Sequence, residues 1–155
     1  VGVVELPLAR PAIEIEPLEP VLAVAVMPAR HRLAAQPTVS LKDLDGERMV
    51  LLSQQSYVRY QMDDAFSTLG VAPNVVLETP SSSIACALVA AGAGITLVSR
   101  WTAEPFAGPD IAVRPLQETL ASRYAIIFPQ MTTRLLLAEA FASDLREEIR
   151  LSDLG

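Results

Sequence analysis

The chain has 155 residues, of which 51% are hydrophobic and 19% are charged. This length predicts about one domain, and the apolar fraction excludes an intrinsically disordered chain. The net charge of −6 argues against a nucleic-acid-binding face in this segment, because phosphates need clustered Lys and Arg, and the apolar runs are too short to span a bilayer.

The N-terminal region predicts two strands separated by a connector. Residues 1–5 have the pattern of a β-strand with no initiator Met before it, so we expect the chain to begin inside a larger protein. The prolines that follow, with Glu14, Glu16 and Glu19, predict an extended and solvated connector. The unbroken apolar run 21–27 fits a strand buried on both faces, as in parallel sheets.

The middle of the chain predicts a short helical turn, one strand and a long helix. A capping box from Ser40 to Asp43 predicts a short helical turn that ends at Gly46, and residues 49–52 predict the next strand. A polar loop then leads into a helix that ends at Gly70. The apolar positions of this helix share one face of a 3.6-residue period: Val58, Met62, Ala65, Phe66 and Leu69.

The second half predicts further strands alternating with helices. The strands are expected over residues 74–78, 95–98, 111–113 and 124–128. One helix has a choice of N-caps between Thr79 and Ser83 and ends at Gly92 and Gly94. Thr132 or Thr133 caps the last helix, on which apolar residues recur every four positions: Leu137, Phe141, Leu145 and Ile149. This alternation predicts an α/β fold with βαβ crossovers and a mainly parallel sheet.

Signals for catalysis and for metal binding are missing from the sequence. The one histidine, His31, has no cysteine near it, and no phosphate-binding loop or nucleophile motif occurs. The one cysteine, Cys86, cannot form an internal disulfide and lies in an apolar helical stretch, where buried packing is expected. We therefore expect no enzyme activity, no cofactor and no metal.

Two loops carry the features of a binding site. Residues 53–57 and 79–83 each leave the carboxyl end of a predicted strand and enter the N-terminus of a helix. Such strand ends meet at the ligand crevice of an open α/β sheet, and helix N-termini present unpaired N–H groups to anions. The loops add the hydroxyls of Ser53, Ser56, Ser81 and Ser82 as neutral donors, and Tyr57 adds an aromatic wall with a polar tip. The alternative is that these serines only cap their helices.

Several segments together resemble the LysR-type transcriptional regulators, specifically their C-terminal effector-binding domain. Residues 28–34, Pro-Ala-Arg-His-Arg-Leu-Ala, are similar to the family's P-x-x-H-P-L-A segment, with Arg32 in place of the usual proline. Residues 41–47 and 66–73 resemble the stretches that follow. Residues 88–98, Leu-Val-Ala-Ala-Gly-Ala-Gly-Ile-Thr-Leu-Val, are similar to its V-A-A-G-x-G-I-x-L-V segment.

The resemblance implies a periplasmic-binding-protein-like fold of type 2, with two α/β subdomains. Residues 28–122 would form the complete second subdomain, while residues 1–20 and 130–155 would be a partial first subdomain. Residues 21–27 and 123–129 would be the crossover strands at the hinge. The rest of the first subdomain is then expected outside this chain, so the first strand and the last helix should expose apolar surface.

The resemblance also implies a set of effector-binding residues in the cleft between subdomains. The matching positions are Ser53, Ser56, Tyr57, Val58, Ser82 and Tyr124. Ser56 and Val58 depart from the proline and aromatic residue of the aromatic-catabolism members, which argues against a muconate-like effector. The polar lining suits a small metabolite that is anionic or amino-acid-like.

The partners implied by the resemblance are those of a cytoplasmic bacterial regulator. The regulatory domain would form a homodimer or homotetramer, and DNA would be bound by a winged helix-turn-helix domain outside this chain, with no membrane contact. A transporter's solute-binding protein of the same fold is the alternative, to be distinguished by whether the parent protein begins with a signal peptide. An enzyme on a similar fold would need a titratable pair in the cleft, which these loops lack.

Overall fold

The computed structural model describes residues 1–130 and 133–152. The chain divides into two compact units. Unit 1 joins Val1–Pro20 to the chain from Arg123 onward, and unit 2 is Val21–Ser122.

The elements are numbered in chain order. The strands are β1 (Gly2–Glu5), β2 (Ile13–Pro17), β3 (Val21–Pro28), β4 (Arg48–Leu52), β5 (Asn74–Thr79), β6 (Thr96–Ser99), β7 (Ile111–Pro115), β8 (Ala121–Ser122) and β9 (Tyr124–Pro129). The helices are α1 (Tyr57–Leu69), α2 (Ser82–Ala90), α3 (Arg100–Ala103) and α4 (Leu136–Ser152), with 3-10 turns at Arg32–Ala35, Leu41–Leu44 and Glu104–Phe106. No helix within the described residues is long and apolar enough to cross a bilayer.

Unit 1 is an antiparallel sheet in the order β1-β9-β2, with α4 packed on it. Ile126 and Phe128 on the central strand are buried against Ala142 of the helix. Arg134 lies 3.8 Å from the centre of the Phe128 ring. Because β9 has a partner on each edge, its backbone is paired on both sides.

The expected solvated connector in unit 1 is wrong over residues 13–17, which form β2. Glu14 and Glu16 are ion-paired rather than merely solvated: Arg134 lies 2.7 Å from a carboxylate oxygen of each. Arg146 of α4 also pairs with Glu16. The alternation of isoleucine and glutamate in this segment is the two-residue period of a strand, with the acids used as ion-pair partners.

The apolar residues predicted to recur along α4 do not share one environment. Leu137 and Phe141 are exposed, whereas Ala142 and Ile149 are buried. A row at four-residue spacing drifts by about 40° per step around a helix of 3.6 residues per turn, so four such residues cannot share one narrow face. Thr133 is three positions before the first helical residue and is therefore not its N-cap, and Thr132 lies outside the described residues.

Apolar side chains are exposed on the first strand and the last helix of unit 1, as expected. They are Val3 in β1 with Val1 just before it, and Leu136, Leu137 and Phe141 in α4 with Leu135 just before it.

Unit 2 contains a sheet in which β3 pairs with β6, β7 and β8, all antiparallel. Among the described strands, β4 and β5 are the named pair that runs parallel, so the predicted mainly parallel sheet is wrong. A parallel bridge between Met49 and Ile95 joins β4 to the segment that enters β6. A continuous apolar run reports burial on both faces of a strand, and it does not report strand direction.

Helices cover unit 2 on both faces of the sheet, which explains the unbroken apolar sequence of β3. Ala25 and Met27 pack in one hydrophobic cluster with Met62 of α1. Val24 and Val26, which point the other way, pack with Cys86 and other residues of α2 in a second cluster. The two cores together fix the helices, and therefore the loops that precede them.

Several local predictions for unit 2 are confirmed. The capping box between Ser40 and Asp43 is formed, and Gly70 ends α1 in the left-handed conformation at φ 69°.

Gly94, at φ 154°, lies so close to β4 that an added Cβ would be 2.2 Å from the Arg48 carbonyl oxygen. The hydroxyl of Thr96 is buried and has no hydrogen-bond partner among the described residues.

Candidate functional site

The two loops predicted from the sequence meet at the carboxyl end of the parallel pair β4 and β5. Because β4 and β5 are adjacent and parallel, their carboxyl ends lie side by side. The backbone N–H of Ser53, just after β4, donates to the carbonyl oxygen of Thr79 at the end of β5, with N and O 2.9 Å apart. Residues 53–57 and 79–83 are therefore neighbours in space.

The first loop places a serine at the start of α1 without using its side chain as a cap. Ser56 occupies the N-cap position, yet its hydroxyl makes no capping hydrogen bond to the first turn of α1, all of which is described. Its backbone N–H donates to the carbonyl oxygen of Ser53, at 3.0 Å. Both serines are half-buried. The Ser56 hydroxyl is thus held at a helix N-terminus without the role that usually explains serine there.

Two aromatic rings stand at the beginning of α1. The rings of Tyr57 and Tyr60 are stacked, with centroids 6.5 Å apart and planes at 21°. Tyr57 is half-buried and Tyr60 is exposed. Val58 between them is only 2% exposed and packs in the core, so its main chain rather than its side chain can contribute to a site.

In the second loop, Ser81 is the residue whose side chain caps α2. The Ser81 hydroxyl accepts a hydrogen bond from the backbone N–H of Ile84, at 3.4 Å. The backbone N–H of Ser81 itself donates to the Thr79 hydroxyl, at 3.3 Å. Ser82 is the first residue of α2 and is half-buried. Ser81 is therefore used as the helix cap, whereas its neighbour Ser82, the residue that the resemblance assigns to the effector site, is not the cap.

A buried arginine beside the loops was not predicted from the sequence. Arg59 is 6% exposed. Its Nη1 donates to the Leu52 carbonyl oxygen at 2.6 Å and to Glu78 Oε1 at 2.8 Å, while its Nε donates to Asp63 Oδ1 at 2.8 Å. Burial lowers the pKa of Arg59, but the hydrogen bonds and charges of the two carboxylates outweigh burial and hold the pKa above its usual value. The four-residue spacing of Arg59 and Asp63 was the available signal.

Tyr124 belongs to unit 1, at the first position of β9. Its backbone pairs with Glu5 of β1, and its carbonyl oxygen accepts a hydrogen bond from the N–H of Leu18, at 2.9 Å. The tyrosine is half-buried. Its assignment to the effector site remains a prediction.

The loops carry neutral hydrogen-bonding groups and no titratable acid or histidine, because residues 53–56 are Ser-Gln-Gln-Ser and residues 79–83 are Thr-Pro-Ser-Ser-Ser. Over the described residues, no cluster of His, Cys, Asp or Glu could hold a metal ion. A cavity of about 370 Å³ elsewhere in unit 2, bordered by Leu22, Arg100 and Glu118, includes none of the six predicted site residues.

Comparison with known proteins identifies the class of this architecture. The BenM effector binding domain with its effector benzoate is 25% identical, with a TM-score of 0.70 over 97% of this chain and 67% of that chain. HinK, a LysR family transcriptional regulator from Pseudomonas aeruginosa, is 26% identical, with a TM-score of 0.74 over 95% of this chain and 52% of that chain. The fold is the type 2 periplasmic-binding-like fold of LysR effector-binding domains.

The family follows from the sequence match. The protein-family model described as LysR substrate binding domain matches residues 1–150. The regulatory protein NocR of Agrobacterium tumefaciens strain T37 is 29% identical over 140 residues, which are 90% of this chain and 47% of NocR. The chain belongs to the LysR substrate-binding domain family, as the sequence resemblance predicted. It spans about half the length of the curated relatives that it matches first.

Proposed function

We propose that this chain is the effector-binding domain of a LysR-type transcriptional regulator and that it binds a small metabolite at the edge where the two loops meet. Ser53, Ser56, Tyr57 and Ser82 would contact the metabolite through their side chains. Val58 would contribute its backbone N–H, and Tyr124 is a further effector-binding residue that the family resemblance implies.

The unused hydroxyl of Ser56 carries the proposal. It stands at the N-terminus of a 13-residue helix, next to a second loop whose capping is performed by Ser81 and not by Ser82. The aligned peptide dipoles and unpaired N–H groups of such a helix start favour negative charge. Family membership supports a small-molecule site, and the related BenM domain holds benzoate.

The proposed effector is anionic or amino-acid-like. The neutral serine and glutamine groups offer both donors and acceptors to its polar atoms. The helix N-terminus would take a carboxylate, and the half-buried Tyr57 would provide an apolar wall with a polar tip. An enzyme is disfavoured, because the loops supply no general acid or base.

The regulatory action belongs to the whole protein. We infer a cytoplasmic homodimer or homotetramer whose DNA-binding winged helix-turn-helix lies outside this chain. An effector can shift such an assembly between two states only by its difference in affinity for them. The relatives' names as regulators support this reading over a transporter's solute-binding protein.

Titration calorimetry tests the site with benzoate, succinate, L-glutamate and L-lysine as probes. For a probe that binds the wild type, Ser56→Ala and Ser82→Ala should each weaken affinity about tenfold, the cost of a lost hydrogen bond to a charged group. Ser67→Ala, an exposed serine at the far end of α1, is the matched control and should leave affinity unchanged. Wild-type affinity in both loop variants would contradict the site assignment.

A further inference from the structure

We propose that Arg59 is a positioning residue that holds the two loops of the candidate site at a fixed spacing. Its effect on ligand binding rests on the proposed function, whereas its effect on the loops does not. The structural part can therefore be tested without any ligand.

The contacts of Arg59 connect the two strands immediately before the loops. Leu52, whose carbonyl oxygen accepts from Arg59 Nη1, is the last residue of β4 and precedes Ser53. Glu78, which accepts from the same nitrogen, precedes Thr79 at the end of β5. One guanidinium nitrogen thus joins both strand ends to the first turn of α1.

Because Arg59 is buried, its charge needs these hydrogen bonds in place of water. The Arg59 side chain is 7% exposed, so a guanidinium that loses a partner there is left with an uncompensated charge in a poorly solvated place. It regains hydration only if the surrounding backbone moves. That backbone includes Leu52, directly before the first loop, so loss of a link should change the spacing of the two loops.

The two carboxylate partners of Arg59 form a matched pair for the test. Glu78 and Asp63 have side chains of equal exposure, 46%, and each lies 2.8 Å from Arg59. Asp63 lies on α1, like Arg59, whereas Glu78 lies on β5. Glu78→Gln therefore weakens the link between the strands, and Asp63→Asn weakens an ion pair within one helix.

Amide hydrogen exchange on the full chain is the first measurement, with the Ser53 N–H as reporter because it donates across the loops to Thr79. Glu78→Gln should accelerate its exchange about tenfold relative to Asp63→Asn, a coupling of the size found within such networks. Arg59→Met should produce a larger increase in both loops, and Arg59→Lys should partly restore protection. If Arg59→Met fails to fold, the Glu78→Gln and Asp63→Asn pair still decides the outcome. Equal exchange in those two variants would overturn the proposal.

Calorimetric titration of the same variants is the second measurement, with whichever of benzoate, succinate, L-glutamate or L-lysine binds the wild type. Glu78→Gln should lower affinity about tenfold and Asp63→Asn less than about twofold. Wild-type affinity in Glu78→Gln, with faster Ser53 exchange, would overturn the role of Arg59 in binding. If no probe binds the wild type, the proposed function loses its support, and Arg59 is judged by amide exchange alone.

Discussion

The starts of α1 and α2 are similar in sequence and different in construction. Both follow a strand of the same parallel pair, and both have serine at the N-cap. Ser81 caps α2 with its side chain, whereas Ser56 does not cap α1, which is tied to the strands by Arg59. A serine at a helix start is therefore not explained by its position alone, and its hydrogen bonds decide between a cap and a group available to a ligand.

The two helices also differ in the size of the side chains that they bury. α1 buries large side chains, including Met62 and Phe66, whereas α2 buries Ala85, Cys86 and Val89. The first helix is thus fixed by the packing of large side chains and by the ion pairs of the buried Arg59, and the second by the packing of small side chains and a side-chain cap.

Truncation of a buried side chain on α1 should have the largest effect. Met62 is fully buried, so Met62→Ala should lower the free energy of unfolding by about 2–5 kcal/mol through lost burial and the cavity left behind. Urea denaturation measures this loss. Asp64→Ala, at an exposed position of the same helix, should stay within about 0.5 kcal/mol. Equal losses in the two variants would contradict the burial of Met62 in the core.

The thiol of α2 should make stability depend on alkaline pH. Burial raises the pKa of Cys86 from 9.0 to about 11. A folded-state pKa above the unfolded value gives a contribution that is complete below pH 9 and is lost as the pH rises through 11. The loss should be on the order of 2 kcal/mol.

Urea denaturation at pH 8 and pH 11 should show a smaller decline for Cys86→Ala than for the wild type. The two proteins differ only at residue 86, so the difference between their declines isolates the thiol. The same decline in both would contradict its burial.

The two N-cap serines should differ in their contribution to stability. Ser81→Ala removes a capping hydrogen bond and should cost about 1 kcal/mol. Ser56→Ala removes no such bond and should cost less than about 0.5 kcal/mol. Thermal unfolding of the two variants measures the contrast. A cost for Ser56→Ala equal to that of Ser81→Ala would show that both serines are ordinary caps.

A small effect is also expected at the exposed ring of α1. Tyr60 is 67% exposed and stacks on Tyr57, so Tyr60→Ala should cost about 0.5 kcal/mol from the lost ring contact. Tyr60→Phe keeps the ring and serves as the control. A loss above about 2 kcal/mol would mean that Tyr60 packs as a core residue does.

Much of the unit 2 fold could be predicted from the sequence, because its signals are local. The capping box at Ser40, the apolar period of α1 and the left-handed Gly70 each depend on neighbours within a few residues. Strand direction could not be predicted, because the apolar residues of β3 report only that both faces are covered. The strand β2 was missed because prolines on either side obscured its alternation.

The location of the candidate site could be predicted from the sequence, but the hydrogen bonds that hold it could not. Parallel neighbours bring Ser53 and Thr79 together, which follows from strand order. The link from Arg59 to Glu78 joins residues 19 positions apart, and no local pattern in the sequence specifies that pairing. Which serine of the run 81–83 caps α2 depends on backbone angles, and three identical residues in a row do not reveal it.

The chain has one tryptophan, Trp101, and it lies on α3 within unit 2. Its intrinsic fluorescence therefore reports on that unit, while far-ultraviolet circular dichroism averages over the helices of both units. Denaturation curves from the two signals should coincide if the units lose structure together and should separate if one melts first. A single native fluorophore thus gives a label-free measure of cooperativity between the two halves of the molecule.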